Sequence, residues 1–332
     1  PFACLYFVHL PPPLQRALEE LIGQSDHAEL AAAAKRVSKD YRSAERSAGT
    51  TFLRNPHERL AYAATRLPAT YAASYAALSH LRILWPQCTL FSLLDVGSGS
   101  GAASWAACTL FESLHSATLF ERDPHLVALG QQLARSTAIP AMNTAQWNTR
   151  SLEQATLPQA DLVIASYVLN ELTEKESANA ARAMWHAAGS ALALVEPGTT
   201  ACFQRLKLIR STLIAEGAQL LAPCPHTSSC PLPENDWCHF TQRVPRTTAH
   251  RLFKRGDLGY EDEKFSYLIF TKQPVQRAQG RILRHPQRRR GHVHLRICGE
   301  GEIRDSIVSR KDGSAWKNVR KARWGDVWNE QE

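Results

Sequence analysis

The spacing of apolar residues changes twice along this chain of 332 residues. Between residues 14 and 85, apolar residues recur every three to four positions, which predicts amphipathic helices. Pro86 ends this part of the chain, so we expect an N-terminal helical region over residues 1–89. The predicted helices have the sequences LQRALEELI, HAELAAAAKRVSKDYRSA and YAASYAALSHLRIL.

From Leu90 onward, short apolar runs alternate with helical stretches, and the runs predict strands with the sequences LFSLLDV, ATLFE, DLVIAS, ALALVE and FSYLIFT. Thr173 and Glu176 predict a capping box at the start of one intervening helix. Strands buried on both faces read as continuous apolar runs, so the pattern favours a parallel sheet covered by helices. We expect an α/β domain over residues 90–275, with a cysteine-rich loop at 222–240.

After about residue 272 the pattern becomes alternating. The segment HVHLRI at 292–297 places Val293, Leu295 and Ile297 on one face and cationic side chains on the other, which predicts a half-buried strand. GRILRH and EIRDSIVS are candidate partners for this strand, and the Asp312-Gly313 step predicts a turn. Residues 276–332 are therefore expected to form a small, mostly β module.

Composition adds a charge asymmetry to this picture. The chain is 44% apolar and carries a net charge of +8, but residues 243–332 hold 21 Lys and Arg against 11 Asp and Glu. Such a basic segment favours a polyanionic partner. No apolar run approaches the roughly 18 residues needed to span a bilayer, so we expect no membrane association.

The basic module also combines arginine with tryptophan. Arg can bind phosphates in bidentate fashion and Trp offers a flat face to unpaired bases, so the cluster favours RNA as the partner. The alternative is a solvated charged surface with Trp in a small core. The residues concerned are Arg288, Arg289, Arg290, Trp316, Lys317, Arg320, Lys321, Arg323 and Trp324.

The stretch DVGSGSG follows a predicted strand and opens a predicted helix. Glycines there allow a tight turn and close approach to a ligand, and the helix N-terminus offers free N–H groups. Glu121 ends the next strand, where a carboxylate can accept both hydrogen bonds of a ribose diol. The pattern predicts an adenosine-containing cofactor; the alternative is a turn that binds nothing. The candidate residues are Asp95, Gly97, Ser98, Gly99, Gly101 and Glu121.

The type of cofactor is a separate question, because Gly97, Gly99 and Ala102 also satisfy the dinucleotide pattern. A dehydrogenase-type Tyr-x-x-x-Lys is absent at Tyr167, since Glu171 stands four residues later. The D-x-G-x-G-x-G form resembles that of class I methyltransferases. Both points favour S-adenosylmethionine.

The predicted strand DLVIAS leads into SYVLNEL, whose residues should lie beyond the carboxyl end of the sheet, where ligands bind in such folds. Ser166, Tyr167, Asn170 and Glu171 are candidates for the pocket wall, with helix capping and packing as the alternative. Neither an Asn-Pro-Pro-Tyr motif nor an obvious catalytic cysteine is present. We therefore assign no catalytic residue, and methyl transfer would proceed by positioning alone.

Three of the eight cysteines lie within fifteen residues, in Cys224-x5-Cys230-x7-Cys238. This spacing does not match common zinc knuckles, and Pro after Cys is also seen beside iron–sulfur ligands. Cys298, at the end of the HVHLRI strand, is our candidate for a fourth ligand; His226 and His239 are alternatives that suit zinc better. Three unconnected cysteines remain the competing interpretation.

Several stretches together resemble the ribosomal small-subunit methyltransferase-like proteins of bacteria and mitochondria. They span most of the chain in order: RLPATYAA, LLDVGSGSGAASWAA, SYVLNEL, LVEPGT, APCPHTSSCPL, DWCHFTQRV and SRKDGSAWKNVRKARWGD. The resemblance implies a class I, Rossmann-like methyltransferase fold and a [4Fe–4S] cluster held by Cys224, Cys230, Cys238 and Cys298.

The resemblance further implies a role in assembling the small ribosomal subunit through its RNA. We expect a protein that is monomeric off the ribosome, in the bacterial cytoplasm or, alternatively, the mitochondrial matrix. The competing functions are a non-enzymatic assembly factor that retains the cofactor pocket and a small-molecule methyltransferase with a basic tail.

Overall fold

The computed structural model describes residues 7–42, 53–137, 139–152, 156–246 and 259–329. The chain begins with three helices, as predicted: α1 (Pro12–Gly23), α2 (His27–Arg42) and α3 (Pro56–Leu84). α3 starts well before the predicted YAASYAALSHLRIL segment. Its first turn is fixed by Asn55, whose side-chain oxygen accepts a hydrogen bond from the Glu58 N–H at 2.9 Å.

The N-terminal helices pack directly on the α/β part of the chain. Leu67 and Leu78 of α3 belong to the same hydrophobic core as Leu93 and Ile164, which lie on two predicted strands. Burial of this shared face stabilises α3 and positions it along the sheet. The domain boundary at residue 89, between an N-terminal helical region and the α/β domain, stays a prediction.

A central sheet contains eight strands, of which the first five are parallel. Its order is β3-β2-β1-β4-β5-β8-β6, and β7 pairs with β8. The strands are β1 (Ser92–Val96), β2 (Ser116–Glu121), β3 (Gln146–Thr149), β4 (Ala160–Ser166), β5 (Ala188–Pro197), β6 (Gln219–Ala222), β7 (Phe240–Pro245) and β8 (Tyr260–Thr271).

Helices connect these strands and cover both faces of the sheet. They are α4 (Ala102–Leu110), α5 (Pro124–Arg135), the short α6 (Pro140–Asn143), α7 (Glu174–Ala187) and α8 (Thr200–Ala215). The predicted capping box of α7 is present: the Thr173 N–H donates to Glu176, and the Glu176 N–H donates to the Thr173 hydroxyl. The predicted α/β, class I methyltransferase-like fold is confirmed.

The central sheet is parallel, as expected, except for one strand. β8, which contains the FSYLIFT segment, runs antiparallel to β5 and β6. It also pairs antiparallel with β7, the strand that precedes it in the chain. Apolar periodicity indicates that a strand is buried, but it carries no information on the strand's direction.

The C-terminal module is an antiparallel sheet with a short helix. Its order is β10-β11-β9-β13, with β12 paired to β11. The elements are β9 (Gly280–Ile282), β10 (Gln287–Arg289), β11 (His292–Cys298), β12 (Ile303–Ser309), α9 (Gly313–Val319) and β13 (Val327–Trp328).

The alternation in HVHLRI is confirmed, because Val293, Leu295 and Ile297 of β11 are all buried. The predicted partner strands are β9 and β12. The Asp312-Gly313 step, expected to be a simple turn, instead joins a 3₁₀ turn to α9. Across the described residues, every helix is too short or too polar to cross a bilayer.

Candidate functional site

The glycine loop lies between β1 and α4, as its sequence predicts. Gly97, Gly99 and Gly101 all have positive φ, at 71°, 56° and 90°, a region that L side chains rarely adopt. A Cβ at Gly97 would lie 2.4 Å from Cγ2 of Val168, so that position also requires a close approach of the backbone. The loop conformation therefore depends on glycine for two separate reasons.

A cavity of about 480 Å³ opens beside this loop, and we call it the glycine-loop cavity. Its size falls within the range of small-molecule and cofactor sites. Seven of the predicted residues line it: Gly97, Ser98, Gly99, Glu121, Ser166, Tyr167 and Glu171. The Ser98 hydroxyl is buried and has no hydrogen-bond partner among the described residues, so it is available to a ligand.

Glu121 lies on the cavity wall with both carboxylate oxygens engaged. It accepts hydrogen bonds from the Gly99 N–H at 2.8 Å and the Asp123 N–H at 2.9 Å. Burial raises the pKa of this carboxyl, although the two N–H donors oppose the shift. Each oxygen retains a second lone pair, so the position remains suited to a ribose diol.

Asp95 does not line the cavity. It is fully buried behind the loop, where its carboxylate accepts hydrogen bonds from the Ser104 hydroxyl at 2.6 Å and the Ser104 N–H at 3.2 Å. Burial raises the pKa of Asp95 to about 7. Asp95 therefore anchors the start of α4 to the sheet, and any effect on a ligand is indirect.

Gly101 and Asn170 are also absent from the cavity wall. The Asn170 N–H donates to Glu196 at 3.0 Å, and the Leu169 N–H donates to the other oxygen of the same carboxyl at 2.9 Å. Burial of Glu196 raises its pKa to about 8. Asn170 thus helps to fix the SYVLNEL segment rather than facing the cavity.

Tyr167 adopts an unusual backbone conformation on the cavity wall. Its φ of 60° makes it the one non-glycine residue with positive φ in the described part of the chain. Its hydroxyl donates to Glu263 at 2.7 Å, and Arg66 donates to the same oxygen at 2.9 Å. The preceding Ser166 hydroxyl is hydrogen bonded to that of Ser74 in α3 at 3.0 Å.

The part of the wall that sequence analysis missed is basic and comes largely from α3. Arg59, Tyr62 and Arg66 project from that helix, and Arg122 and Arg150 lie near the ends of β2 and β3. The RLPATYAA stretch, which begins at Arg66, was the one sequence signal that pointed to this part of the wall. Nothing in local spacing shows that α3 crosses the carboxyl end of the sheet.

The four predicted ligand cysteines line a second, smaller cavity of about 40 Å³, which we call the cysteine cavity. Cys224 follows β6, Cys230 lies in the loop, Cys238 precedes β7, and Cys298 ends β11 in the C-terminal module. The structure therefore brings together thiols from two distant parts of the chain. His226 shares the wall, with its Nε2 3.6 Å from the Cys298 sulfur.

Apolar side chains, among them Phe203, Leu232 and Leu283, pack around the cysteine cavity, and Lys207, Arg210 and Arg281 also line it. Burial raises the pKa of Cys224 and Cys238, and raises that of Cys298 to about 12. No group of three or more His, Cys, Asp or Glu side chains in the described ranges is arranged to hold a single metal ion.

His239, an alternative ligand in the sequence analysis, lies off the cysteine-cavity wall. It stacks on Trp237 with ring centroids 4.8 Å apart and meets Trp324 edge-on at the same separation. Trp316 packs against the core of the C-terminal module. The two predicted RNA-facing tryptophans are thus in packing contacts.

Charged side chains of the module remain at the surface. Arg289, Arg290, Lys317 and Lys321 are exposed. Arg288 is engaged differently, because its guanidinium donates to the backbone carbonyls of residues 320 and 322.

Comparison with known proteins gives relatives whose names refer to mitochondrial ribosome assembly or to Rsm22. The human protein "Ribosome assembly protein METTL17, mitochondrial" is 28% identical over 291 residues, covering 81% of this chain and 62% of that protein. "Rsm22-cox11 tandem protein 2, mitochondrial" of Schizosaccharomyces pombe is 27% identical, covering 81% of this chain and 43% of that protein. The chain thus spans about half the length of the curated relatives it matches.

Among solved structures, magnesium protoporphyrin IX methyltransferase from Synechocystis PCC 6803 with bound SAH has a TM-score of 0.41 and 14% identity. That likeness covers 72% of this chain and 100% of that one. The putative RNA methyltransferase PH1948 from Pyrococcus horikoshii has a TM-score of 0.38 and 12% identity, covering 75% and 97%. Residues 56–329, well over half of the chain, match the family model described as the mitochondrial small ribosomal subunit Rsm22. The chain belongs to the Rsm22 family.

Proposed function

We propose that this protein is a methyltransferase-like factor that binds small-subunit ribosomal RNA during ribosome assembly, with S-adenosylmethionine in the glycine-loop cavity and a structural [4Fe–4S] cluster in the cysteine cavity. The observation that carries the proposal is the convergence of four cysteines where the basic module meets the main domain. Membership of the Rsm22 family and relatives named as ribosome assembly proteins support the ribosomal role.

The donor set of the cysteine cavity, four cysteines from the loop after β6 and from β11, supports a cluster. In a [4Fe–4S] cluster each of four cysteines binds a different iron. Cys224, Cys230, Cys238 and Cys298 would hold the cluster, which would supply a structural cross-link.

The glycine-loop cavity fits S-adenosylmethionine, the methyl donor of such folds. Glu121 would accept the ribose hydroxyls, and the buried Ser98 hydroxyl on the same wall would gain a partner. Glu121→Gln should weaken S-adenosylmethionine binding about tenfold, measured by calorimetric titration, because a charged acceptor is replaced by a neutral one. Glu174→Gln, on the exposed start of α7, should leave the affinity unchanged.

A non-enzymatic assembly factor is the second candidate function, and one observation favours it. Two acid–base side chains of the wall are already engaged within the protein, since Glu121 accepts two backbone N–H groups and the Tyr167 hydroxyl donates to Glu263. Neither is thereby assigned to remove a proton from a methyl acceptor. Binding of S-adenosylmethionine would then stabilise the fold without methyl transfer.

A single-turnover assay with labelled S-adenosylmethionine and immature small-subunit RNA separates the two functions. Label in RNA that disappears in Glu121→Gln establishes methyl transfer. Unlabelled RNA that still binds the protein establishes the assembly factor. A protein that methylates a small molecule and fails to bind this RNA at physiological salt would contradict both.

The exposed cations of the module give the RNA proposal its own test. RNA affinity should fall steeply with salt, and the double variant Arg289→Gln, Arg290→Gln should lower the slope of log affinity against log salt by about 2. Affinity that does not change with salt would contradict the proposal.

The relatives' names, which say mitochondrial, support a mitochondrial location, and we propose the matrix; the bacterial cytoplasm gains no support from them. We also propose that the protein is a monomer off the ribosome.

A further inference from the structure

The wall of the cysteine cavity has an unbalanced charge. Lys207, Arg210 and Arg281 line it, whereas none of its lining residues in the described structure is an Asp or Glu. Both arginines are buried, with exposed fractions of 4% and 1%. Buried cations are ordinarily paired with an acid, so this arrangement needs an explanation.

Arg281, from β9 of the C-terminal module, is surrounded by neutral acceptors. Its Nε donates to the Pro223 carbonyl at 2.9 Å, and its Nη1 donates to the Gly325 carbonyl and to Nδ1 of His80, each at 2.9 Å. Burial and the nearby guanidinium lower the pKa of His80, which keeps the ring neutral and able to accept. Nη2 is buried and has no protein partner in the described residues.

Arg210, from α8 of the main domain, repeats this pattern on the opposite side. Its Nη2 donates to the carbonyls of His226 and Ser228, both at 2.8 Å. Its Nε is buried without a protein partner among the described residues. Arg210 therefore holds the cysteine loop through neutral carbonyls while its own charge stays uncompensated.

The described structure offers these cations no carboxylate at ion-pair distance. Asp326 lies near Arg281, but its carboxylate accepts from the Arg323 N–H and burial raises its pKa. Leaving two guanidinium groups buried and unpaired is strongly unfavourable. An anion in the cavity that both arginines line removes this cost, and four thiolates on a [4Fe–4S] core carry a net charge of about −2.

We propose that Arg210 and Arg281 are the buried counter-ions of the cluster, one supplied by each side of the junction between main domain and C-terminal module. The inference rests on the proposed cluster, and it adds that the negative charge of the cluster is compensated by these two buried arginines. Without the anion, the junction brings two unpaired cations together, so the module docks firmly only when the cluster is present. With it, the same cations favour the more negative, reduced state of the cluster.

The test compares Arg210→Met, which removes the charge at similar volume, with Arg210→Lys, which keeps it. In iron-loaded full-length protein, Arg210→Met should shift the reduction potential to a more negative value and lose iron to a chelator about tenfold faster. Arg210→Lys should stay near the wild-type potential. After iron removal, Arg210→Met should resist urea at least as well as the wild type, because an uncompensated charge has been removed.

An arginine with a purely structural role would give a different result: Arg210→Met would destabilise the iron-loaded and iron-free forms equally and leave the potential unchanged, which would overturn the inference. The pair Arg281→Met and Arg281→Lys repeats the test from the module's side. A wild-type protein purified anaerobically without iron would overturn the cluster proposal itself, so the two failures are distinguishable.

Discussion

The glycine-loop cavity and the cysteine cavity differ in how their buried polar groups are partnered. Around the first, Asp95, Glu121 and Glu196 all accept hydrogen bonds from the protein itself. Around the second, two buried guanidinium nitrogens lack partners among the described residues, and burial raises the pKa of Cys224, Cys238 and Cys298. Buried atoms without hydrogen-bond partners, such as the Ser98 hydroxyl, also occur around the first cavity. The difference lies in the buried arginines: Arg59 beside the first cavity has Asp123 at 3.8 Å, whereas the described structure gives Arg210 and Arg281 of the second no carboxylate at ion-pair distance.

The two cavities also differ in which parts of the chain build them. The glycine loop and its supporting residues connect successive elements of one sheet, so most of their contacts form with that sheet. The cysteine cavity joins the loop after β6 to β9 and β11 of the C-terminal module. Substitutions in the cysteine cavity should therefore weaken the packing of the C-terminal module on the main domain. Substitutions in the glycine-loop cavity should instead lower the stability of the sheet around that loop.

The largest expected effect is that of Cys298→Ala. Because metal ligation contributes on the order of 10 kcal/mol to folding at structural sites, bound iron should fall about tenfold or more and the module should become sensitive to protease. Cys202→Ala is the matched control, since this buried cysteine of α8 lies off the cavity wall. Equal iron content in the two variants would contradict the role of the cysteine cavity as the iron-binding site, and with it the contrast drawn between the two cavities.

Gly97→Ala should destabilise the fold by about 3 kcal/mol, because the new Cβ meets Val168 and the residue must also hold a positive φ. Gly99→Ala imposes the same conformational strain without a contact within 4 Å, and should cost about 1 kcal/mol. Urea unfolding without S-adenosylmethionine measures both. Adding Val168→Ala should recover part of the larger loss; identical costs at the two glycines would contradict the close-approach argument.

A smaller effect is expected from Asp95→Asn, and it depends on pH. Since burial raises the folded pKa of Asp95 to about 7 from 3.8, its contribution to stability is present below about pH 4 and is lost as the pH rises through 7. Asn lacks this titration and can still accept from Ser104. The pKa difference corresponds to about 4 kcal/mol between pH 4 and pH 8. Burying the unpaired amide group of Asn costs about 2 kcal/mol, so the variant should be roughly 2 kcal/mol more stable than the wild type at pH 8.

Urea unfolding at several pH values checks this prediction, and S-adenosylmethionine affinity should change no more than about threefold, because Asp95 lies behind the loop. A parallel pH dependence in the two proteins would show that Asp95 is ionised in the folded state. A large loss of affinity would place Asp95 in ligand binding, as the sequence alone suggested.

The sequence predicts well what is local. DVGSGSG falls between a strand and a helix, and its glycines take the positive φ values that the motif requires. The alternation of HVHLRI identifies the buried face of β11. β3 was missed because QWNT is a short edge strand with one large apolar residue, which gives no apolar run.

What the sequence could not show depends on contacts between distant residues. Arg59 and Arg66 reach the glycine-loop cavity because α3 packs across the sheet, a placement that periodicity does not contain. Arg210 and Arg281 look in sequence like ordinary surface cations, since arginine is seldom buried. They are buried because the C-terminal module packs against the main domain, so their unpaired nitrogens can be identified in the folded structure and not in the sequence.

α3 connects the two cavities physically. Tyr62 lies on the wall of one, while His80 accepts a hydrogen bond from Arg281 on the wall of the other. At 1.5 Å per residue, the eighteen intervening steps separate these side chains by about 27 Å along a single helix. The family match begins at residue 56, where α3 itself begins. A fragment cut just before the glycine loop would retain that loop and all four cysteines of the second cavity, and yet lose the helix that sets the distance between the two cavities.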